Sequence, residues 1–225
     1  MSNNMKKVIV VLLTTFVCTS MSAQTYWDGA RADKLFTFGV RCGVDFSRQY
    51  DTERYYTQDL RHRLGFHIGA EVDWNICRSF SANLGLKVIQ KGFKADFSND
   101  ENSILKENNN ATYLEIPICA SYRIALSDNA QFQINIGPYF AYGICGKSTT
   151  EYYQGKYESK DEIDSFDDYD GLKRFDFGLC YGCAITLSHF YVGVNYEHSL
   201  RKLGQDSRND AKNSSIVISL GYNFN

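Results

Sequence analysis

The chain has 225 residues, with 24 Lys plus Arg against 26 Asp plus Glu, 16 Tyr, 15 Phe, 17 Gly and only two Pro. A formal charge of −2 leaves no basic surplus for holding nucleic acid, and scarce proline beside abundant aromatics and glycine favours strands joined by turns. Beyond residue 23 no apolar run is long enough to cross a bilayer as a helix.

The first element is "MSNNMKKVIVVLLTTFVCTSMSAQ". Lys6 and Lys7 precede an apolar run, Val8 to Val17, and small residues follow up to Ala23. That order is expected for a secretory signal peptide, residues 1–23, removed after Ala23. Cys18 follows Val17 rather than a small residue, which argues against a lipoprotein site. What remains, 24–225, is expected to form one domain. Losing Lys6 and Lys7 takes the net charge from −2 to −4.

Eight alternating segments follow, at 35–46, 62–76, 79–94, 112–126, 130–146, 172–187, 189–200 and 214–224. In the second, Leu64, Phe66, Ile68, Val72, Trp74 and Ile76 share one side, against Arg63, Gly65, His67, Gly69, Glu71, Asp73 and Asn75. The fourth sets Leu114, Ile116, Ile118, Tyr122 and Ile124 against Tyr113, Glu115, Pro117, Cys119, Ser121 and Arg123. The fifth, seventh and eighth repeat the pattern. A period of two is that of a strand.

The joins alternate as well. Ser47–Arg61 is long and Cys77–Arg78 short; "ADFSNDENSILKENNNA" is long and Ser127–Asn129 short. Lys147–Gly171 is long and Ser188–His189 short, and "RKLGQDSRNDAKN" is long again. All long loops then leave one end of an up-and-down meander, as in outer-membrane barrels, and an even strand number returns both termini to the periplasmic end.

Eight strands enclose an interior just wide enough for side chains. A bulky apolar row from every strand would overfill it, whereas the glycines, small residues and charges of the other row fit. The expected fold is therefore all-β: an eight-stranded antiparallel up-and-down transmembrane β-barrel with a polar, charge-paired lumen and its bulky rows toward lipid. The lumen row carries Arg41, Arg63, Lys87, Lys91, Arg123 and Arg174 against Asp45, Glu71, Asp73, Glu115, Asp176 and Glu197. Balanced charge in so narrow a space points to a plugged barrel, because an unpaired buried charge costs about 3–5 kcal/mol. Pro117 removes a ladder hydrogen bond where a closed barrel has no edge. With Pro138 nearly opposite, a bulge or gap is expected there.

Cys42, Cys77, Cys119, Cys145, Cys180 and Cys183 have no disulfide-framework spacing, although export would permit pairing. Cys180 and Cys183, three apart on a strand, point to opposite faces and cannot share a metal. They are read as small strand or turn residues.

Five strings then appear in order: "NLGLKVIQKGFK" from Asn83, "YLEIP" from Tyr113, "GPYFAYGICGK" from Gly137, "FDFGLCYGCAI" from Phe175 and "YEHSLRKLG" from Tyr196. With Ser22-Ala23-Gln24, they make the chain resemble the PorT-like outer-membrane β-barrel family of Bacteroidetes-type bacteria. The resemblance covers nearly all of the chain after the signal. It implies a barrel fold and an outer-membrane location; most members have no assigned activity, and the founding member is tied to protein secretion and sorting. Two departures are the penultimate, not final, aromatic Phe224 and the cysteines.

Chemistry-bearing motifs are few. "DSFDDYDG", Asp164 to Gly171, approaches a calcium loop, but Phe166 holds the first ligand position. The aromatic loop Arg48–Gln58 has an interface composition. His198 and Ser199 invite comparison with lipid A-modifying barrels, yet they point opposite ways, and no G-x-S-x-G, P-loop or H-E-x-x-H string is present. The expected function is that of a non-enzymatic integral outer-membrane barrel with a structural or interaction role and four long outer loops. It needs no cofactor. Its expected partners are outer-membrane lipid and lipopolysaccharide and, through the loops, another envelope or surface protein. The alternatives are an accessory barrel in secretion or sorting, a lipid-modifying enzyme, and a narrow pore.

Overall fold

A computed structural model describes residues 28–50, 59–100, 103–154, 157–167, 171–203 and 212–224. The expected signal peptide, loop residues 51–58 and the acids at 168 and 170 lie outside the described residues.

Strands β1 (Phe36–Tyr50), β2 (Asp59–Asn75), β3 (Phe80–Asp100), β4 (Ser103–Ser127), β5 (Ala130–Gln154), β7 (Phe175–Leu187), β8 (Phe190–Ser199) and β9 (Lys212–Asn223) form an antiparallel ring. Each pairs with its neighbours in chain order, β5 pairs with β7, and β1 closes on β9 from Gly39↔Asn223 to Tyr50↔Lys212. A closed ring satisfies every strand edge, which is what a sheet needs to sit in hydrocarbon. The ninth strand, β6 (Tyr157–Asp164), stands outside the ring and pairs with the far end of β5 from Lys147↔Asp164 to Gln154↔Tyr157.

Strands β4 and β5 run 25 residues each, whereas a tilted strand crosses the hydrocarbon with about 9–11. Their far halves, with β6, rise as a sheet beyond the ring. Nothing in "KENNN", Lys106 to Asn110, alternates in polarity, so the period-2 signal stops at residue 112 while the backbone ladder continues.

The burial pattern follows the alternation. Along β7, Asp176, Gly178, Cys180, Ala184 and Thr186 are buried, and Phe175, Phe177, Leu179, Tyr181, Ile185 and Leu187 are exposed. On the outer wall Ile68 is 67% exposed, Phe190 65% and Ile136 59%; such a surface is stable only against acyl chains. Tight turns close the other end. Phe80 N–H donates to Cys77 O at 3.3 Å, and Ser188 takes the left-handed φ of 53° that its two-residue turn needs. The first and last described residues also sit at this end: Asp28 N–H donates to Ser79 Oγ at 2.8 Å and Phe224 N–H to Phe38 O at 2.8 Å.

The two prolines produce a gap rather than a bulge. The β4–β5 ladder stops at Pro117↔Tyr139 and resumes at Ala120↔Ile136 in unchanged register. The β3–β4 ladder is also interrupted, between Leu84↔Ile118 and Lys87↔Glu115. The β4–β5 ladder shifts register on either side of this gap, between Thr112 and Tyr113 and, next to the turn, between Ala125 and Ser127.

Candidate functional site

The interior is organised in tiers, each supplied by facing strands. At its centre Lys87 and Lys91, four apart on β3, both reach Glu115 of β4 and Glu197 of β8. Lys87 Nζ lies 3.0 Å from Glu115 Oε1 and 2.5 Å from Glu197 Oε1. Lys91 Nζ lies 2.6 Å from Glu115 Oε2 and 2.9 Å from Glu197 Oε2. Each ammonium touches both carboxylates and each carboxylate both ammoniums, a closed square of alternating charge. Lys91, Glu115 and Glu197 are at most 1% exposed, and Lys91 also sits 4.4 Å from the centre of the Tyr139 ring. The square ties β3 and β4 to β8 across the lumen.

Toward the short-turn end, Arg123 Nη2 meets Asp73 Oδ2 at 2.6 Å while its Nη1 donates to Asn75 Oδ1 at 2.5 Å. Arg41 Nε pairs with Glu71 Oε2 at 2.7 Å, its guanidinium 4.0 Å over the Tyr191 ring. Between these pairs and the square is a cavity of about 50 Å³ lined by Arg41, His67, Asn83, Cys119, Cys180 and Tyr191, among others, room for a few waters at most. Toward the long-loop end, Asp176 accepts from Ser199 Oγ at 2.6 Å and Tyr139 OH at 3.3 Å. Asp45 is fully buried there without a hydrogen bond to either carboxylate oxygen among the described residues, and Arg63 Nη1 is likewise buried.

Of the twelve ionisable residues assigned to the lumen from sequence, all but Arg174 point inward. Arg174 is exposed at the rim, stacked 5.1 Å over the Phe166 ring, and its Nη1 donates to Gly143 O at 3.2 Å. The sixth alternating segment was expected to begin at residue 172, but β7 begins at Phe175 and the residues before it turn over the barrel mouth instead.

That mouth is closed by a lid that the alternation does not announce. Phe166, 3% exposed, packs edge-on against Tyr113 with ring centres 5.5 Å apart, beside buried Leu172 and Leu203. Asp164 Oδ1 accepts from Phe166 N–H at 2.9 Å, Leu172 N–H donates to Ser165 O at 2.7 Å and Lys173 N–H to Leu203 O at 2.7 Å. Gly143 makes room: a Cβ there would overlap the Phe166 ring. The residue that breaks the calcium spacing is thus the stopper, and Asp164 serves it as a turn acceptor. Isolated apolar residues in acidic and basic loops, Phe166, Leu172 and Leu203, were the signal available in the sequence. Among the described residues no group of three or more His, Cys, Asp or Glu is placed to hold a metal. Ser199 is buried and committed to Asp176, while neighbouring His198 lies on the outer wall against Tyr196.

The lid yields a test. Phe166→Ala is expected to cost about 3–5 kcal/mol of lid packing without opening the ring. Limited proteolysis should then cut between residues 164 and 174 far faster than in the unaltered protein, with heat-dependent gel migration unchanged. Equal cutting rates would mean that Phe166 does not hold the lid.

Several solved structures are similar to the chain at low identity. The attachment invasion locus protein Ail of Yersinia pestis is 14% identical, covering 85% of this chain and all of its own, with a TM-score of 0.42. OprG of Pseudomonas aeruginosa is 11% identical over 89% of this chain and 99% of its own, at 0.42. Neisserial surface protein A is 9% identical over 83% and 97%, at 0.41. No curated protein sequence matches the chain. Residues 22–205 match the family described as the outer membrane protein beta-barrel domain; with its closed eight-stranded ring and lipid-suited wall, the chain belongs to that family and is an integral outer-membrane β-barrel.

Proposed function

We propose that the protein is a non-enzymatic, sealed barrel of the cell envelope that offers its long-loop end to a partner protein. The observation that carries this reading is the filled interior. The charge square, the arginine–carboxylate pairs and the Phe166 lid occupy the lumen in series, with a cavity of about 50 Å³ among the described residues. A small-molecule route and a substrate pocket both need space that these side chains take. The separation of Ser199 from His198 speaks against lipid A chemistry.

Partner binding is assigned to the sheet that β4, β5 and β6 raise beyond the ring. Tyr152 and Ile163 are 39% and 50% exposed on it, bulky side chains with no lipid to face. Lys147, Glu151, Lys160 and Glu162 form a ladder of exposed ion pairs across β5 and β6. In this reading residues 1–23 are a signal peptide, the short-turn end and both termini are periplasmic, and outer-membrane lipid and lipopolysaccharide cover the apolar wall. The motifs around "YLEIP" support kinship with the PorT-like barrels, which keeps a secretion accessory as the second reading.

Affinity purification from crosslinked outer membranes tests the role. A partner is expected to co-purify with the unaltered barrel and to be lost from Tyr152→Ser/Ile163→Ser, with heat-dependent migration retained; planar bilayers are expected to show no discrete conductance. Stepwise channel currents, or altered lipid A that depends on His198, would overturn the proposal.

A further inference from the structure

Two of the six cysteines that follow residue 23 meet inside the barrel. Cys119 of β4 and Cys180 of β7 are 5% and 4% exposed and line the same cavity, close enough for their thiols to interact. They come from strands that are not neighbours, because β5 runs between them. The residue of β5 at that level is Gly137, which pairs directly with Cys180 and whose absent Cβ would lie 2.7 Å from the Cys119 Cα. With no side chain between them, the two sulfurs converge over the glycine.

The prolines act at the same level. Pro117 immediately precedes the stretch where Ile118 and Cys119 are not paired with β5, and Pro138 of β5 lies opposite Ile118 within it. A disulfide requires Cα atoms roughly 4.4–6.8 Å apart. At residues 118 and 119, β4 has no ladder bond to β5 to lose in approaching β7; Cys119 is laddered to Asn83 of β3, and Cys180 to Gly137 and Glu197. The other cysteines are elsewhere: Cys42, Cys145 and Cys183 are exposed, and Cys77 is buried in the first short turn.

We propose that Cys119 and Cys180, free thiols in this structure, form a disulfide in the envelope that staples β4 to β7 across β5. The oxidant is another disulfide of that compartment, protein-borne or small, acting on the chain before the barrel closes. One cysteine thiolate attacks the donor disulfide and expels one donor sulfur as a thiol. The second cysteine then displaces the other donor sulfur, forming the Cys119–Cys180 bond. One S–S bond breaks and one forms; the two cysteine protons end on the two donor thiols.

The test is mass spectrometry of barrel taken from outer membranes without reductant, with free thiols blocked during lysis and alkylated again after unfolding. The expected result is a Cys119–Cys180 linked peptide, with the protein lighter by two hydrogens and only the other four of the six cysteines alkylated. Reductant should release both and lower the urea midpoint of the unaltered barrel, leaving that of Cys119→Ser/Cys180→Ser unmoved. Alkylation of all six before reduction, or linkage through any other cysteine, would overturn the proposal.

Discussion

Lys91→Met is expected to destabilise the folded barrel by about 3–5 kcal/mol, the cost of removing one member of a buried ion-pair network. The substitution leaves Glu115 and Glu197, both essentially without solvent contact, to share the single ammonium of Lys87. The lumen then carries an uncompensated negative charge that lies too deep for water to screen. Urea unfolding of liposome-reconstituted protein should show the loss as a shifted midpoint. Adding Glu197→Gln restores neutrality and leaves the Lys87–Glu115 pair at 3.0 Å, so the double variant is expected to be more stable than Lys91→Met alone. If the two losses instead add, the square is not an energetic unit and the four residues act separately.

Gly43→Val is expected to stop the ring from closing. Gly43 lies on β1 opposite Ser219 of β9 and opposite His67 of β2, at the seam that joins the chain's first strand to its last. A Cβ there would overlap the Ile218 carbonyl oxygen and come 2.8 Å from the His67 ring. The first contact is with backbone, so no rotamer relieves it, and the cost exceeds the 1–3 kcal/mol or so of ordinary overpacking. In a wall of eight strands the inward positions of neighbours converge, which is why glycine is needed. The variant should lack the folded, heat-dependent gel band. Val44→Ile, one residue on and toward lipid, should keep it, because acyl chains adapt to an added methylene. A folded Gly43→Val barrel would show that the seam is wider than described.

How much of this was legible depends on how local the physics is. The direction of each side chain in a strand is local, so Leu114 and Glu115 could be assigned to opposite walls from their order alone. The gap at Pro117 was legible for the same reason, since a missing N–H is a property of one residue. Cross-lumen partners are not local. That Glu197 of β8, rather than Asp176 of β7, completes the square with Lys87 and Lys91 depends on stagger between distant strands. The far halves of β4 and β5 and the whole of β6 were hidden because their stability comes from backbone pairing beside water, where Asn and Lys serve on either face. Arg174 was misplaced because alternation continues through residues 172–174 while the backbone has already left the strand. The lid escaped notice because a single Phe in an acidic loop has no period to detect.

The claim beneath all of this is the inverted polarity of the wall, and bromine quenching in bilayers tests it directly. Single-Trp proteins carrying Ile136→Trp or Tyr139→Trp on β5, with Trp27 and Trp74 replaced by Phe, would be reconstituted in vesicles of lipids brominated along the acyl chains. Tryptophan emission at 136 is expected to be strongly quenched and emission at 139 to be spared, since Ile136 is 59% exposed and Tyr139 is fully buried in the lumen. Quenching at 139 with protection at 136 would contradict the account.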